Sequence, residues 1–207
     1  MITIAFSRGR LLKEATYIFN KAGYNINNIL KNTRKLIFEY PEVGIKAMVV
    51  RPTDVPAYVE HGAADCGIVG KDTLLEEKYN LYEPLDLRIG KCKLIVAAPN
   101  GYKSDSSKSL RVATKYPTIA NDYFSKKGIN VEIVKLYGSV ELAPIVGLSD
   151  VIVDLTASGE TLKKNKLESI NVIADITARL VVNRVSMKVK SKEIKEFIDK
   201  LQKVRPD

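Results

Sequence analysis

The first 23 residues, MITIAFSRGRLLKEATYIFNKAG (1–23), predict how the chain begins to fold. The apolar run from Ile2 to Phe6 is typical of a buried strand. From Arg10 to Ala22 apolar residues recur at the spacing of one helical face, and Gly23 follows as a stop signal. A strand followed directly by a helix is the opening of an α/β fold.

The same alternation of strand-like and helix-like segments continues along the chain. We predict strands at 36–40, 45–50, 66–69, 92–98, 111–114, 131–136 and 151–154, helices at 54–60, 118–127, 140–146 and 192–203, and β-prone runs at 172–182 and 185–189. The strands at 36–40 and 45–50 are expected to form a hairpin around Pro41 to Gly44. Thr53 is expected to cap the helix at 54–60. Two largely parallel sheets with a cleft between them would account for this order, and the chain would cross between them near 89–92 and 176–180.

Composition indicates an ordered protein with an anionic partner. Hydrophobic residues make up 45% of the chain, enough for a core, and the formal net charge is +9. The charge alone does not distinguish nucleic acid from a phosphorylated small molecule. Much of the excess follows Lys188, where acidic residues are interleaved at helical spacing, and this favours a solvated helix face over a nucleic-acid arm.

The sequence indicates neither a membrane-spanning protein nor a structural metal site. No apolar run approaches the roughly 20 residues that cross a bilayer, and the apolar N-terminus is too short for a signal peptide. We therefore expect a cytoplasmic protein without a membrane partner. Cys66 and Cys92 match neither disulfide nor zinc spacing, and both are expected in the core.

The stretch VIVDLTASGETL (151–162) predicts a binding site for a sugar phosphate. A buried strand is expected to end at the carboxylate of Asp154, and small and hydroxyl residues then open a helix. Backbone N–H groups at such a helix start, helped by the hydroxyls of Thr156, Ser158 and Thr161, can cradle a phosphate. Asp154 could accept hydrogen bonds from vicinal sugar hydroxyls, and the combination suggests a ribose 5-phosphate. An ordinary capped helix with a polar loop is the alternative on local grounds.

A second candidate site lies where three predicted strands end. Arg8 and Arg10 follow the first strand, Arg51 follows the strand at 45–50, and the loop at 67–72 follows the strand at 66–69. Guanidinium groups suit phosphate oxygens, and three convergent strand ends favour a binding role over the plain surface charge that a single arginine usually is.

Other chemical signatures are weaker or missing. The sequence contains no GxGxxG, and Asp72 follows Gly70-Lys71 where a Walker loop requires a hydroxyl residue. Glu141 opens the helix predicted at 140–146, a position where an acidic residue more often complements the helix dipole than binds a ligand.

Several motifs together resemble a known family. They are RGRL (8–11), RPTDVP (51–56), GIVGKD (67–72), RVATKYP (111–117), GSVELAP (138–144), DLTASGETL (154–162) and ARL (178–180) with NR (183–184). Along essentially its whole length, the chain resembles the catalytic subunit of the ATP phosphoribosyltransferase family in its short form. These pentosyltransferases begin histidine biosynthesis by transferring the 5-phosphoribosyl group of phosphoribosyl pyrophosphate (PRPP) to N1 of ATP. A mild departure is Arg8, which stands where the family more usually has lysine.

The resemblance implies a fold similar to periplasmic solute-binding proteins. Each of two lobes would hold a mixed, mostly parallel sheet flanked by helices, with the active site in the cleft between them. Residues 1–90 with 178–207 would form lobe I on the ATP side, and residues 91–177 would form lobe II on the PRPP side.

The resemblance also implies roles for individual residues. PRPP would bind to Asp154, Thr156, Ala157, Ser158, Gly159, Glu160 and Thr161, and ATP would bind to Arg8, Arg10, Arg51, Gly70 and Asp72. Asp154 and Glu141 would be catalytic. Mg²⁺ would accompany PRPP and pyrophosphate, with no protein ligand assigned to it.

A partner is implied as well. The long family form carries a regulatory domain that binds histidine, for which a chain ending at Asp207 leaves no room. The short form would instead assemble with a regulatory subunit resembling histidyl-tRNA synthetase, as a hetero-octamer of four of each subunit and without nucleic acid. Two alternatives remain: a ligand-binding module of the same architecture, against which the missing export signal and missing helix-turn-helix argue, and a phosphoribosyltransferase for a different base.

Overall fold

The computed structural model describes residues 1–31, 34–103 and 108–206, which fall into two units. Unit 1 comprises Met1–Leu74, Lys78–Lys91 and the chain from Thr177 onward, and unit 2 comprises Leu75–Glu77 and Cys92–Ile176. The chain therefore leaves unit 1 after Lys91 and returns to it at Thr177. No helix among the described residues is long and apolar enough to cross a membrane.

Strands and helices alternate through both units. In chain order the elements are β1 (Ile2–Ser7), α1 (Arg10–Lys21), α2 (Asn28–Lys31), β2 (Ile37–Tyr40), β3 (Ile45–Val50), α3 (Val55–Glu60), β4 (Cys66–Gly70), α4 (Lys71–Glu76), β5 (Tyr82–Asp86), β6 (Cys92–Pro99), β7 (Leu110–Thr114), α5 (Pro117–Ser125), β8 (Val131–Lys135), α6 (Leu142–Ile145), β9 (Val151–Thr156), α7 (Glu160–Lys164), β10 (Leu167–Ile176), β11 (Ala178–Val182), α8 (Arg184–Val189) and α9 (Ser191–Val204), with 3₁₀ turns at Pro41–Val43 and Pro52–Asp54.

Unit 1 contains a mixed sheet with the strand order β2-β3-β1-β4-β11-β5. β3, β1 and β4 run parallel, whereas β2, β11 and β5 are antiparallel to their neighbours. β1 lies in the interior of the sheet and is covered on both faces. Ile4, Ala5 and Phe6 are therefore all fully buried.

Helices cover the two faces of this sheet. On one face α1 and α9 pack through edge-to-face ring contacts of Phe19 with Phe6 and with Phe197. On the other face Val55 and Val59 of α3 pack in a cluster with Ala5 of β1. Both cores are apolar and closed by amphipathic helices, so they account for the stability of the unit in ordinary hydrophobic terms.

Unit 2 contains a second mixed sheet with the order β10-β6-β9-β7-β8. β9, β7 and β8 run parallel; β6 is antiparallel to β9 and to β10, so β10 runs in the same direction as β9. α5 packs on the face that carries Leu94, Val112 and Val153. The opposite face carries Ile95 and Ile152 and is covered by α6 and α7.

The α/β class with two mixed, helix-flanked sheets is confirmed, and the hairpin of β2 and β3 is confirmed too. Strand direction also agrees with the expectation. Among the described residues, four of the six strands in unit 1 (β1, β3, β4 and β5) and four of the five in unit 2 (β7, β8, β9 and β10) run in one direction, so both sheets are mixed and mostly parallel. The strands that run the opposite way are β2 and β11 in unit 1 and β6 in unit 2.

Several local predictions were wrong. Thr53 caps no helix; it lies in a 3₁₀ turn, and its hydroxyl lies 3.2 Å from Oδ1 of Asp54. The helix expected at 140–146 spans only Leu142–Ile145. The strand expected to end at Asp154 continues to Thr156. Cys66 is buried as expected, but Cys92 is only partly buried.

The two β-prone runs behave differently from each other. The run at 172–182 is divided at Thr177, where the chain changes unit, into β10 and β11 of different sheets. The run at 185–189 is a helix, because the side chain of Asn183 accepts hydrogen bonds from the N–H groups of Val185 and Ser186 and so caps α8.

Candidate active site

The predicted phosphate loop joins β9 to α7 and is tightly folded. The hydroxyl of Thr156 accepts a hydrogen bond from the N–H of Gly159 at 3.1 Å, and the hydroxyl of Ser158 accepts one from Glu160 at 3.4 Å. Gly159 has φ +76°, a left-handed conformation that glycine adopts without strain. A Cβ at Gly159 would meet no protein atom within 4 Å, so the backbone angle is what favours glycine there.

The loop leaves donors available for a ligand. Within the described part of the chain, the N–H groups of Ala157, Ser158 and Thr161 donate to no protein acceptor, and all three residues are exposed. The hydroxyls of Thr156 and Ser158 use a lone pair to accept within the loop, which leaves each O–H free to donate outward. This arrangement of N–H and O–H donors suits a phosphate group.

Asp154 lies on the same strand as the loop and on the same face. Alternate residues of β9 share a face, so Asp154 stands between Ile152 and Thr156 on the face that α6 covers. Asp154 is partly buried, and its Oδ1 accepts the N–H of Leu155 at 2.8 Å. Glu141 is partly buried at the N-terminal end of α6 and therefore belongs to this same face of the sheet.

One cavity adjoins each predicted site. The cavity in unit 1 has a volume of about 520 Å³, and the cavity in unit 2 has a volume of about 630 Å³. The cavity in unit 2 is lined by Lys93, Ile95, Asn100, Thr156, Ala157, Ser158, Gly159, Leu162, Lys163, Leu167, Glu168, Ser169 and Val172. Four consecutive residues of the phosphate loop thus open onto it, whereas Glu160 and Thr161 do not line it.

In unit 1 the predicted arginines gather at one edge of the sheet. β3, β1 and β4 are parallel neighbours, so Arg51, Arg8 and Gly70 all lie at or just beyond the carboxyl ends of these strands. The N–H of Arg8 donates to the carbonyl of Val50 at 2.9 Å, which fixes Arg8 beside the end of β3. All three predicted arginines are exposed. Among the described residues, the polar contacts of the Arg10 guanidinium are long, 3.6 Å to Glu14 and 3.4 Å to the backbone carbonyl of Gly90.

The 520 Å³ cavity lies beside this edge. It is lined by Arg8, Gly9, Arg10, Leu12, Lys13, Ile29, Leu30, Lys35 and Val49. Four cationic side chains therefore surround an apolar floor, a combination that suits a ligand with a flat apolar ring and several negative charges. Arg51, Gly70 and Asp72 do not line this cavity.

Gly70 and Asp72 are linked by packing. Asp72 is only 8% exposed, in the first turn of α4, and a Cβ at Gly70 would collide with its carboxylate. The glycine is therefore needed for the buried carboxylate to lie where it does, which is a structural reason for this part of the motif.

The family-model comparison covers most of the chain. Residues 51–203 match the model described as ATP phosphoribosyltransferase (HisG). The chain belongs to the ATP phosphoribosyltransferase family. It is 54% identical over 206 residues to ATP phosphoribosyltransferase 2 of Geobacter sulfurreducens, with 98% of this chain and 97% of the relative covered. It is also 54% identical over 205 residues to the ATP phosphoribosyltransferase of Caldanaerobacter subterraneus subsp. tengcongensis, with 99% and 97% covered.

One solved structure agrees with this assignment, and a second shares the fold. The ATP phosphoribosyl transferase (HisG:HisZ) complex from Thermotoga maritima contains a chain with TM-score 0.85 and 38% identity, covering 99% of this chain and 98% of that one. The periplasmic aliphatic sulphonate binding protein SsuA from Escherichia coli matches with TM-score 0.63 at 12% identity, covering 99% and 72%. The second likeness concerns the fold alone, and it confirms the similarity to periplasmic binding proteins.

Other residues in the ATP phosphoribosyltransferase motifs have structural roles here. Arg111 holds Asp150 through two side-chain hydrogen bonds, from Nη2 at 2.8 Å and from Nε at 3.3 Å, and so lowers the pKa of that carboxyl. Tyr116 is buried in the core of unit 2.

Three lysines at the cavities had little or no sequence signal. Lys13 follows Arg10 by three residues on α1, a spacing that could have placed both on one helix face. Lys35 precedes β2 with no motif around it. Lys93 directly follows the crossing expected near 89–92, and its place in the cavity follows from strand pairing.

Proposed function

We propose that this chain transfers the 5-phosphoribosyl group of PRPP to N1 of ATP, giving N1-(5-phospho-β-D-ribosyl)-ATP and pyrophosphate in the first step of histidine biosynthesis. The observation that carries the proposal is the β9–α7 loop, where Asp154 shares a strand and a face with free N–H and O–H donors. Membership of the ATP phosphoribosyltransferase family supports the same reaction.

PRPP would bind to unit 2. The loop from Thr156 to Thr161 would hold the 5-phosphate through the N–H groups of Ala157, Ser158 and Thr161, with Gly159 and Glu160 shaping the turn. The carboxylate of Asp154 would accept hydrogen bonds from the ribose hydroxyls.

ATP would bind to unit 1. The apolar floor of the 520 Å³ cavity suits the adenine ring, and Arg8 and Arg10 suit the triphosphate. Arg51, Gly70 and Asp72 belong to the same strand edge and would contribute from beside the cavity.

The chemistry needs no covalent intermediate with the protein. As N1 of ATP bonds to C1 of the ribose, the bond from C1 to the pyrophosphate oxygen breaks, and positive charge develops on the ribose. Asp154 and Glu141 would stabilise that charge from the face of the sheet in unit 2 that both belong to. Mg²⁺, held mainly by phosphate oxygens, would neutralise the departing pyrophosphate.

A partner is part of this proposal. The Thermotoga maritima relative is named as a complex of two different subunits, HisG and HisZ. We expect this chain to assemble with a regulatory subunit resembling histidyl-tRNA synthetase, four of each, and to work in the cytoplasm where ATP and PRPP are made.

Release of pyrophosphate tests the reaction. The purified chain, alone and with the regulatory subunit of the same source, is incubated with PRPP and Mg²⁺ in the presence and absence of ATP, and products are identified by mass. We expect ATP-dependent release, a product with the mass of phosphoribosyl-ATP, and a higher rate with the partner. No product from folded protein that binds ligand would favour a ligand-binding module instead.

A further inference from the structure

Lys93 occupies a defined place beside the phosphate loop. In the antiparallel pairing of β6 and β9 it lies directly opposite Thr156, the residue at which the loop begins. Directly opposite residues share one face of a sheet, with Cβ atoms about 4.5–5.5 Å apart. Lys93 and the first four loop residues accordingly line the same 630 Å³ cavity.

The ammonium group of Lys93 has no hydrogen-bond or ion-pair partner among the described residues. Asp175 of β10 is the residue opposite Lys93 on its other side, yet no ion pair joins the two, and within the described ranges Lys93 forms none with any carboxylate. The acidic residue that lines the cavity, Glu168, accepts a hydrogen bond from the N–H of Gly101 at 3.2 Å. Lys93 is thus an available positive charge.

The donors of the loop itself are neutral. A phosphate monoester carries close to two negative charges at pH 7, and a nearby cation strengthens its binding beyond what neutral amide and hydroxyl donors supply. The cavity contains a second lysine, Lys163, but that residue lies in the last turn of α7, where a cation is already favoured by the helix dipole.

We propose that Lys93 supplies the positive charge that binds the 5-phosphate of PRPP. The proposal rests on the function proposed above, and it names a residue that deepens the PRPP site. Because the 5-phosphate does not take part in bond breaking, Lys93 is a binding residue whose loss raises KM for PRPP far more than it lowers kcat.

The test distinguishes binding of the 5-phosphate of PRPP from binding of its pyrophosphate. Ribose 5-phosphate and pyrophosphate are titrated calorimetrically into the wild type and into Lys93→Met, Lys93→Arg, Lys163→Met and Lys164→Met. Lys164 is an exposed lysine on α7 that does not line the cavity. We expect Lys93→Met to weaken ribose 5-phosphate binding and raise KM for PRPP by about tenfold or more. Pyrophosphate affinity and the melting temperature should stay unchanged. Lys93→Arg should restore most of the affinity, and Lys164→Met should behave as wild type.

Two results would overturn the assignment. One is wild-type affinity of Lys93→Met for ribose 5-phosphate, and the other is an effect of Lys163→Met that Lys93→Met does not share. Both are distinct from failure of the proposed function, in which the wild type itself makes no phosphoribosyl-ATP.

Discussion

Gly67 lies where α3 crosses β4, and a side chain there has no room. A Cβ at this position would be 2.7 Å from a methyl carbon of Val55 and 2.7 Å from one of Val59. Gly67→Ala should therefore lower the free energy of unfolding by about 1–3 kcal/mol, since α3 must shift away from the sheet. Urea denaturation measures the change. Gly138→Ala is the matched control, because a Cβ there meets no protein atom within 4 Å, and it should stay within about 0.5 kcal/mol of the wild type.

Asp154 is the residue whose charge the proposed chemistry uses most directly. Asp154→Asn keeps the size and one acceptor of the side chain but removes the negative charge that would face the developing positive ribose. We expect kcat to fall by about 100-fold or more with little change in melting temperature. Asp122→Asn, at an exposed position of α5 in the same unit, serves as the control. Equal kcat for Asp154→Asn and the wild type would remove Asp154 from the chemistry.

Sequence alone indicates the proposed PRPP site more completely than the proposed ATP site. The residues from Asp154 to Thr161 are contiguous, so a short motif contains most of the predicted donors. Lys13, Lys35 and Lys93 reach the cavities only through helix packing and strand pairing, which no local pattern encodes. The roles assigned to the residues of both sites, Arg51, Gly70 and Asp72 included, stay predictions.

Among the elements, α8 depends on a single side chain. Asn183 is buried; its Oδ1 accepts the N–H groups of Val185 and Ser186 at 2.9 Å, and its Nδ2 donates to the carbonyls of Val59 and Glu60 at 2.7 Å and 3.1 Å. The amide thus caps α8 and ties it to the end of α3.

Asn183→Ala should lower the free energy of unfolding by about 2–4 kcal/mol, because a helix cap is lost and buried carbonyls lose their donor. Chemical denaturation followed by circular dichroism measures this. Asn171→Ala, at an exposed position on β10, should have little effect. Similar small losses for both variants would show that the four hydrogen bonds of Asn183 do not hold α8 in place.

The same cap explains why the β-prone run at 185–189 forms a helix. Val185 and Val189 have high β-propensity, but both are exposed, so no packing enforces a strand there. One hydrogen-bonding side chain then decides in favour of the helix. Strong amphipathic helices such as α1 and α9 were predictable, because their burial patterns extend over several turns.

At the scale of the whole molecule, buried carboxylates tie distant parts of the chain together. Asp65, only 7% exposed, accepts hydrogen bonds from the N–H of Thr3, the hydroxyl of Ser186 and the ammonium of Lys190, at 2.8, 2.7 and 2.7 Å. Burial opposes ionisation of Asp65, but these hydrogen bonds outweigh it and lower its pKa. The pKa values of Asp86 and Asp150 are lowered too, through their own hydrogen bonds and nearby arginines.

Lowered carboxyl pKa values give a definite pH dependence. Each such group stabilises the fold fully above its unfolded pKa of 3.8, and this contribution is lost as the pH falls through the lower folded value. We expect the urea midpoint to fall steeply below about pH 4. Asp65→Asn should be less stable than the wild type at pH 7, and the difference should shrink toward pH 2.5. Asp199→Asn, at an exposed site on α9, should keep the wild-type pH profile; a parallel profile for Asp65→Asn would contradict the argument.

The insertion of unit 2 into unit 1 also sets an order of events during synthesis. Every described strand of the sheet in unit 2 lies between Cys92 and Ile176, so that sheet can close before the chain from Thr177 onward has left the ribosome. In unit 1, by contrast, β11 is the one described strand that pairs with β5, and β11 is made afterwards. On the ribosome, the sheet of unit 2 would therefore be complete before the sheet of unit 1. The edges of β4 and β5 would stay open until Ala178–Val182 emerges and pairs with both.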